Sequence, residues 1–493
     1  MREICGDLLF NSSMCSSGKK TADGWGKQKE ITRQKMQRSK ARVYLLNTLL
    51  KNKNIITRKN VLTTTARRTV FSRKFCTMRT MRTNEVRSTA RARQITELKS
   101  DSDRGTGWTL LVSEREELSL MRTLPTGQSF RWKEVKEVTD DVIDEEYVTF
   151  VGVIGERIVK IRERGGVGDD DDFVIEYRVM NESDDRESCN EEIRTYFNLD
   201  NEDLKLKELF DRFSKADPKR FGVLRKFVIG ARTLRQSPVE CLISFVCSSN
   251  NNIARIRKMV DSLCEKYGEK LECSDSGDLY YAFPTVDALA EKCEERALRE
   301  LGFGYRAKFI PAIAQELQKR GGEKYLLDLR KSSVDDDEWE TALTTLPGVG
   351  PKVASCAALF SLDKNNVIPV DTHVWQLARE HYDDAGELSK MESTKTKPKK
   401  ATETTPTSTP TKTKQLSITP KMMAKCSSVL QEIYGDYAGW AQTALFVAEL
   451  PQIRETLPQN MQTPTKAQKR KLDKTVVLDS ADALLTADYA VAE

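Results

Sequence analysis

The sequence predicts an α+β fold, with a small antiparallel β-sheet subdomain followed by a mainly α-helical domain. One observation is a change of hydrophobic period near residue 203, from alternating or clustered β-branched residues to helical spacing. The other is an uneven partition of charge. Residues 1–104 hold 25 Lys/Arg against 8 Asp/Glu, a net of +17; the whole chain is +6, so the remaining 389 residues sum to −11. The basic balance therefore belongs to an extension and not to the folded part. Four regions are expected: a basic extension at 1–104, a β-rich subdomain at 105–202, a helical domain at 203–454, and a polar basic tail at 455–493. A low-complexity insert of Thr, Lys, Pro and Ser is expected to interrupt the helical domain at 383–417.

In the β-rich part, Tyr147-Val-Thr-Phe-Val-Gly-Val-Ile154 and Arg157-Ile-Val-Lys-Ile-Arg162 read as strands, with Gly155 as the turn between them. The stretch 134–200 carries 21 Asp/Glu against 8 Lys/Arg, with Asp169 to Asp172 in one block. Such a run reads as a solvated loop facing away from nucleic acid. In the helical part, Val239, Leu242, Ile243 and Val246 fall at i, i+3, i+4 and i+7, and Ile253, Ile256, Val260 and Leu263 form a second stripe. Further helical patterns occupy 286–300, 306–319, 337–346, 352–362, 372–382 and 420–449. There is no internal repeat of fixed period.

Several classes are excluded. The densest apolar run, Cys241 to Cys247, is far too short to span a bilayer, so a soluble protein without a membrane partner is expected. The chain has two histidines, His373 and His381, too few for a three-histidine metal site. Its 11 cysteines include no CxxC pair, which argues against zinc ribbons, thioredoxin chemistry and cysteine-ligated iron–sulfur clusters. Reduced thiols and no cofactor are expected. Residues 31–84 hold 15 Lys/Arg and no acid, the composition of a mitochondrial transit peptide. Glu3, Asp7, Asp23 and Glu30 interrupt that pattern upstream, unless translation can also start at Met36; a basic nucleic-acid-binding arm is the alternative. Lys469-Arg-Lys471, with Lys466 and Lys474 nearby, resembles a nuclear-localisation signal. A nuclear pool with a second, mitochondrial pool is the expectation.

The strongest chemical feature is Leu346-Pro-Gly-Val-Gly-Pro-Lys-Val-Ala-Ser-Cys356. A helical pattern ends, a glycine-rich hairpin follows, and Pro351 suits the first position of a second helix. Gly348 and Gly350 allow unusual backbone geometry and the close approach of a partner. The exposed N–H groups of such a hairpin bind a phosphate oxygen, so a helix-hairpin-helix grips a nucleic-acid backbone without reading sequence. Lys352 is the second residue of the new helix. There the positive helix end and partial burial act to lower an amine's pKa, which makes it a nucleophile near neutral pH. Nineteen residues later, Asp371 precedes a helical pattern, where its carboxylate could cap the N–H groups of residues 373–374. Alone it is a plain N-cap; paired with the hairpin lysine it becomes a catalytic partner.

These residues resemble the helix-hairpin-helix DNA glycosylases with a Gly/Pro-rich loop and an aspartate, and specifically the eukaryotic 8-oxoguanine DNA glycosylase/AP lyases. Four stretches carry the resemblance: Pro125-Thr-Gly-Gln-Ser-Phe-Arg-Trp132, Ser237 to Arg255 with its Ser-Ser-Asn-Asn-Asn-Ile-Ala-Arg run, Leu346 to Trp375, and Tyr437-Ala-Gly-Trp-Ala-Gln-Thr-Ala-Leu-Phe446. It covers about residues 107–450 outside the inserts. It implies a monomer acting on damaged double-stranded DNA without metal or redox cofactor. Lys352 would attack the anomeric carbon of a flipped-out nucleotide, leaving a Schiff base and then a strand cut by β-elimination; Asp371 would stabilise the developing positive charge. The resemblance also implies a base slot between Cys356 and Phe446, with Gln442 on the Watson–Crick edge and the Gly127 carbonyl on the N7 hydrogen of 8-oxoguanine. Asn250, Arg255 and Arg306 would meet the opposite cytosine, Tyr305 would wedge into the gap in the stack, and His373 would contact a phosphate. His381 is expected to be structural. Two other readings are a helix-hairpin-helix glycosylase for oxidised pyrimidines and a non-catalytic module that only binds the DNA backbone. The missing cysteine cluster and the Gly127 and Gln442 motifs count against the first, and Lys352 with Asp371 against the second.

Overall fold

The computed structural model describes residues 107–136, 138–139, 142–143, 147–164, 173–181, 186–201, 203–273, 278–331, 338–393 and 418–464. The candidate transit and nuclear-localisation segments, the Asp169 to Asp172 block and Lys395, Lys397, Lys399 and Lys400 lie outside these residues.

Alternating β-branched residues build an antiparallel sheet of five strands: β1 (Thr109–Val112), β2 (Lys133–Val135), β3 (Tyr147–Ile154), β4 (Arg157–Arg164) and β5 (Val174–Val179), in the order β1-β5-β4-β3-β2. The β3–β4 hairpin pairs Tyr147 with Arg164 through to Ile154 with Arg157. Gly155 turns it at φ +56°, the positive φ that a two-residue hairpin loop of this hand requires at its first position. One sheet face buries Ile154, Val159, Ile161, Ile175 and Trp132 against Ile193, Tyr196 and Phe197. The other buries Val151, Val153 and Ile158 against Leu271 and Ala282, which belong to a small hairpin of the helical region.

The helical region forms one apolar core around two neighbouring helices, Pro238–Ser248 and Pro351–Ser361. The second is buried from Val353 to Ser361, and only Pro351 and Lys352 at its start are half-buried. Small residues at 354, 355, 357 and 358 let it lie deep in the core. Arg330 donates to the Ser361 carbonyl at 2.6 Å, placing a cation at the negative end of this helix.

The change from sheet to helices falls between Val179 and Arg186, earlier than the expected position near residue 203. Helix Arg186–Tyr196 falls inside the stretch read as β-rich. Its acid-heavy composition hides a single apolar stripe. The patterns at 286–300 and 420–449 are each broken, into Val286–Lys292 and Glu295–Glu300, and into Pro420–Tyr434 and Ala438–Glu449. Gly435, at φ +67° and ψ −140°, ends the helix before the second break. The expected insert at 383–417 also starts too early. Asp383 accepts bonds from the N–H groups of Leu388 and Ser389, starting helix Glu387–Ser393, and Leu388 is fully buried. At the far end Leu457 and Thr463 are buried, so the folded region extends past residue 454.

Candidate active site

The hairpin joins helix Glu338–Thr344 to helix Pro351–Ser361. Val349 is buried beneath it and donates its N–H to the Leu346 carbonyl at 3.1 Å. Gly348 adopts φ +77° and presses against Phe309, where an added Cβ would stand 2.4 Å from the ring. Gly350 has ordinary extended backbone, and an added Cβ there would meet nothing within 4 Å. One glycine is required by the fold. The other leaves an open surface.

From the first turn of that helix the Lys352 amine donates to Ser248 Oγ at 3.3 Å and lies 5.0 Å from the ring centroid of Phe245. Phe245 is itself stacked on Phe360 at 5.6 Å and set edge-on to Phe130 at 5.7 Å. The amine also reaches the thiol of Cys356, one turn along the same face. Burial pushes that thiol's pKa up, the nearby lysine pulls it down, and Asp371 adds a smaller upward push. Asp371 caps helix Thr372–His381 as its residue type suggests: Oδ1 accepts the N–H groups of His373 at 2.8 Å and Val374 at 2.9 Å. The His373 side chain is exposed beside it. His381 contacts Thr463 Oγ1 at 3.0 Å and ties its helix to the C-terminal segment, a structural role.

Gly127 closes a short turn at φ +88°, with Ile253 against it. Its neighbour Gln128 fixes the loop: the side-chain amide donates to the Arg232 carbonyl at 3.1 Å and accepts from Leu234 N–H at 3.0 Å. The same loop delivers Phe130 to the aromatic stack under Lys352. Across the core, Gly439 packs on Leu359 of the hairpin helix, with room for no Cβ. Gln442 and Phe446 follow on the same stripe, at i+3 and i+7. Gln442 is 6% exposed and sets an amide on a largely apolar helix face.

A second cluster surrounds Ser249. Helix Pro238–Ser248 ends there, Asn250 turns the chain at φ +51°, and Asn252 caps the next helix through Arg255 N–H. Tyr305 is 49% exposed and donates to the Ser249 carbonyl at 2.9 Å. Arg255 is exposed and donates to the Gly302 carbonyl at 3.1 Å. Arg306 departs from the expected role. It is 3% exposed, and its guanidinium donates to the carbonyls of Phe303, Ser249 and Asn250. In this arrangement it braces the loop carrying Asn250, while its buried Nε has no partner among the described residues.

Sequence reasoning passed over Ser248 and Phe245. Both lie within the quoted Ser237 to Arg255 stretch, but an apolar helix with a serine at its end gives no separate signal of contact with a lysine 104 positions on.

A lysine on the first turn of a glycine-hairpin-led helix, followed by a helix capped by an aspartate, fits one class, the base-excision DNA repair proteins. Residues 110–242 match the family model described as 8-oxoguanine DNA glycosylase, N-terminal domain, and residues 243–401 that of the HhH-GPD superfamily base excision DNA repair protein. The N-glycosylase/DNA lyase OGG1 of Arabidopsis thaliana is 40% identical over 381 residues, covering 76% of this chain and 89% of that protein. The N-glycosylase/DNA lyase of Saccharomyces cerevisiae is 33% identical over 351 residues, 69% of this chain and 85% of its own. Among solved structures, the Clostridium acetobutylicum 8-oxoguanine glycosylase/lyase in complex with dsDNA containing cytosine opposite 8-oxoG shares 27% identity, covers 69% of this chain and 93% of its own, and has a TM-score of 0.49. The chain belongs to the 8-oxoguanine DNA glycosylase family.

Proposed function

We propose that this protein is a bifunctional DNA N-glycosylase/AP lyase that excises 8-oxoguanine opposite cytosine and then cuts the strand. The observation that carries the reading is Lys352 on the half-buried first turn of an otherwise buried hairpin helix, its amine held at Ser248 Oγ, with Asp371 capping the helix that follows. Phosphate binding alone needs neither group. The Nζ lone pair of Lys352 forms a bond to C1′ as the C1′–N9 bond breaks and its electron pair leaves with the base. Nζ then loses a proton, and opening of the sugar, with O4′ protonated, leaves a C1′=Nζ iminium. Loss of a C2′ proton expels the 3′ phosphate. Asp371 stabilises positive charge developing on the sugar.

The base would enter between Cys356 and Phe446, with the Gln442 amide on its Watson–Crick edge and the Gly127 carbonyl on N7–H. Guanine carries a lone pair at N7 and repels that carbonyl, which supports discrimination between the two bases. Arg255 and Asn250 would face the opposite cytosine, Tyr305 the gap in the stack, and Gly348, Gly350 and His373 the backbone. The enzyme acts as a monomer in this reading. Borohydride trapping on a duplex with 8-oxoguanine opposite cytosine is the test. A covalent adduct that requires the lesion and disappears in Lys352→Gln supports it; base release without an adduct would remove the lyase step.

For location we propose the nucleus, with a second pool in mitochondria, on the composition of residues 31–84 and the basic run at 469–471. Reporter fusions of the full chain, with and without alanines at Lys469, Arg470 and Lys471, test it. An unchanged distribution would count against the nuclear signal.

A further inference from the structure

We propose that Ser248 is a positioning residue for the nucleophile, holding one N–H of Lys352 so that the nitrogen lone pair can face C1′ of the everted nucleotide. The proposal rests on the reading of Lys352 as nucleophile. It starts from the hydrogen-bond inventory of a hydroxyl, which has one proton to donate and lone pairs to offer. Ser248 Oγ lies 2.6 Å from the Phe245 carbonyl and 3.3 Å from Lys352 Nζ. A carbonyl can only accept, so the serine proton points at Phe245. Toward the lysine the same oxygen therefore acts as an acceptor. That polarity holds an amine through one of its N–H bonds and leaves its lone pair unengaged by this contact.

The surroundings favour the same geometry. Ser248 is the last residue of helix Pro238–Ser248, and that helix presents its negative end to the amine. The Phe245 face lies below the nitrogen at 5.0 Å and attracts it when charged. Stacking on Phe360, which stands on the lysine's own helix, fixes the Phe245 ring. The Cys356 thiol, one turn along the same helix, also lies within reach of the amine. Thus Ser248 restricts the lysine's rotamers.

Removing the hydroxyl therefore loses the orientation of the amine and slows attack. The test is the single-turnover rate of borohydride-trapped adduct at saturating enzyme, on the 8-oxoguanine:cytosine duplex, for wild type, Ser248→Ala and Ser248→Thr. For Ser248→Ala the expected result is a rate lower by about tenfold. Affinity for a duplex with a non-cleavable abasic analogue should stay unchanged, and threonine should restore the rate. A Ser248→Ala rate equal to wild type, a fall explained by lost affinity, or no rescue by a normally melting Ser248→Thr, would overturn the proposal. Absence of any adduct with wild type would instead overturn the assignment of Lys352 itself, and this proposal with it.

Discussion

Gly348 lies against the ring of Phe309 so closely that a methyl group on its Cα would stand 2.4 Å from the ring, at a backbone φ of +77°. Phe309 in turn meets Tyr305 edge-on at 6.5 Å, which links the hairpin to the cluster around Ser249. The two hairpin glycines therefore answer to different constraints.

Gly348→Ala should cost about 2–4 kcal/mol from left-handed strain and overpacking, a fall in Tm of several degrees. Gly350→Ala meets neither obstacle and should melt within a degree or so of wild type while weakening duplex binding, because the added methyl stands on the open face. Thermal melts and fluorescence anisotropy on undamaged duplex separate the two. Equal destabilisation by both would mean that the hairpin is packed where it is described as open.

Asp371 combines a structural and a chemical task, and two substitutions separate them. Asparagine keeps an acceptor for the N–H groups of His373 and Val374, so Asp371→Asn should retain the stability of the cap. It loses the negative charge, and single-turnover base release should fall by at least about a hundredfold. Alanine loses the cap as well and should be less stable by about 1 kcal/mol. Base release by Asp371→Asn at the wild-type rate would restrict the aspartate to capping.

Glu163 offers a test by pH. Its carboxylate is buried under the sheet, where it accepts the Leu120 N–H at 2.6 Å and Ser119 Oγ at 3.3 Å. Burial raises its pKa, against the pull of that backbone N–H and of Arg122. Above the ordinary carboxylate value the folded chain therefore holds a proton that the unfolded chain has released, and this group's contribution to stability falls as pH rises through the raised value. Glu163→Gln keeps an acceptor and cannot ionise. Relative to wild type it should gain stability as pH rises through that window and then level off, as urea melts from pH 4 to pH 7 can record. A relative loss over the same range would mean that attraction to Arg122 outweighs desolvation.

Much of this architecture is legible from local chemistry. The strand alternation around Gly155, the cap at Asp371 and the proline-led hairpin helix each depend on neighbours within a few residues, so their signals lie in short stretches of chain. The break at Asn250 to Asn252 belongs with them, because Asn252 caps the helix that follows. Arg306 and Ser248 are different. An arginine beside an exposed tyrosine looks available, and only the folded chain turns it beneath the carbonyls of Ser249 and Asn250. Likewise the partner of Ser248 lies 104 residues away, so its role follows from packing and not from spacing. Helix Arg186–Tyr196 is hidden for another reason: Glu187 and Glu191 face solvent, while Glu192 pairs with Arg157 of the sheet and Ile193 and Tyr196 supply its apolar contact.

The two arginines of the Ser249 cluster should therefore separate under mutation. Arg306→Ala removes the donor serving the carbonyls of Phe303, Ser249 and Asn250 from a site that is 3% exposed. Leaving those groups without it should cost about 2–4 kcal/mol, or roughly 5–10 °C in Tm. Arg255→Ala loses one bond at an exposed position and should change stability by no more than about 0.5 kcal/mol. Its effect should appear in specificity, because a well-placed donor to a base edge is worth about 1–3 kcal/mol of discrimination. The ratio of 8-oxoguanine excision opposite cytosine to excision opposite adenine should accordingly fall about tenfold in Arg255→Ala. Melting curves and paired excision assays decide between brace and reader. If Arg306→Ala keeps its Tm and loses the cytosine preference, the guanidinium leaves the carbonyls when DNA binds, and Arg306 reads the base after all.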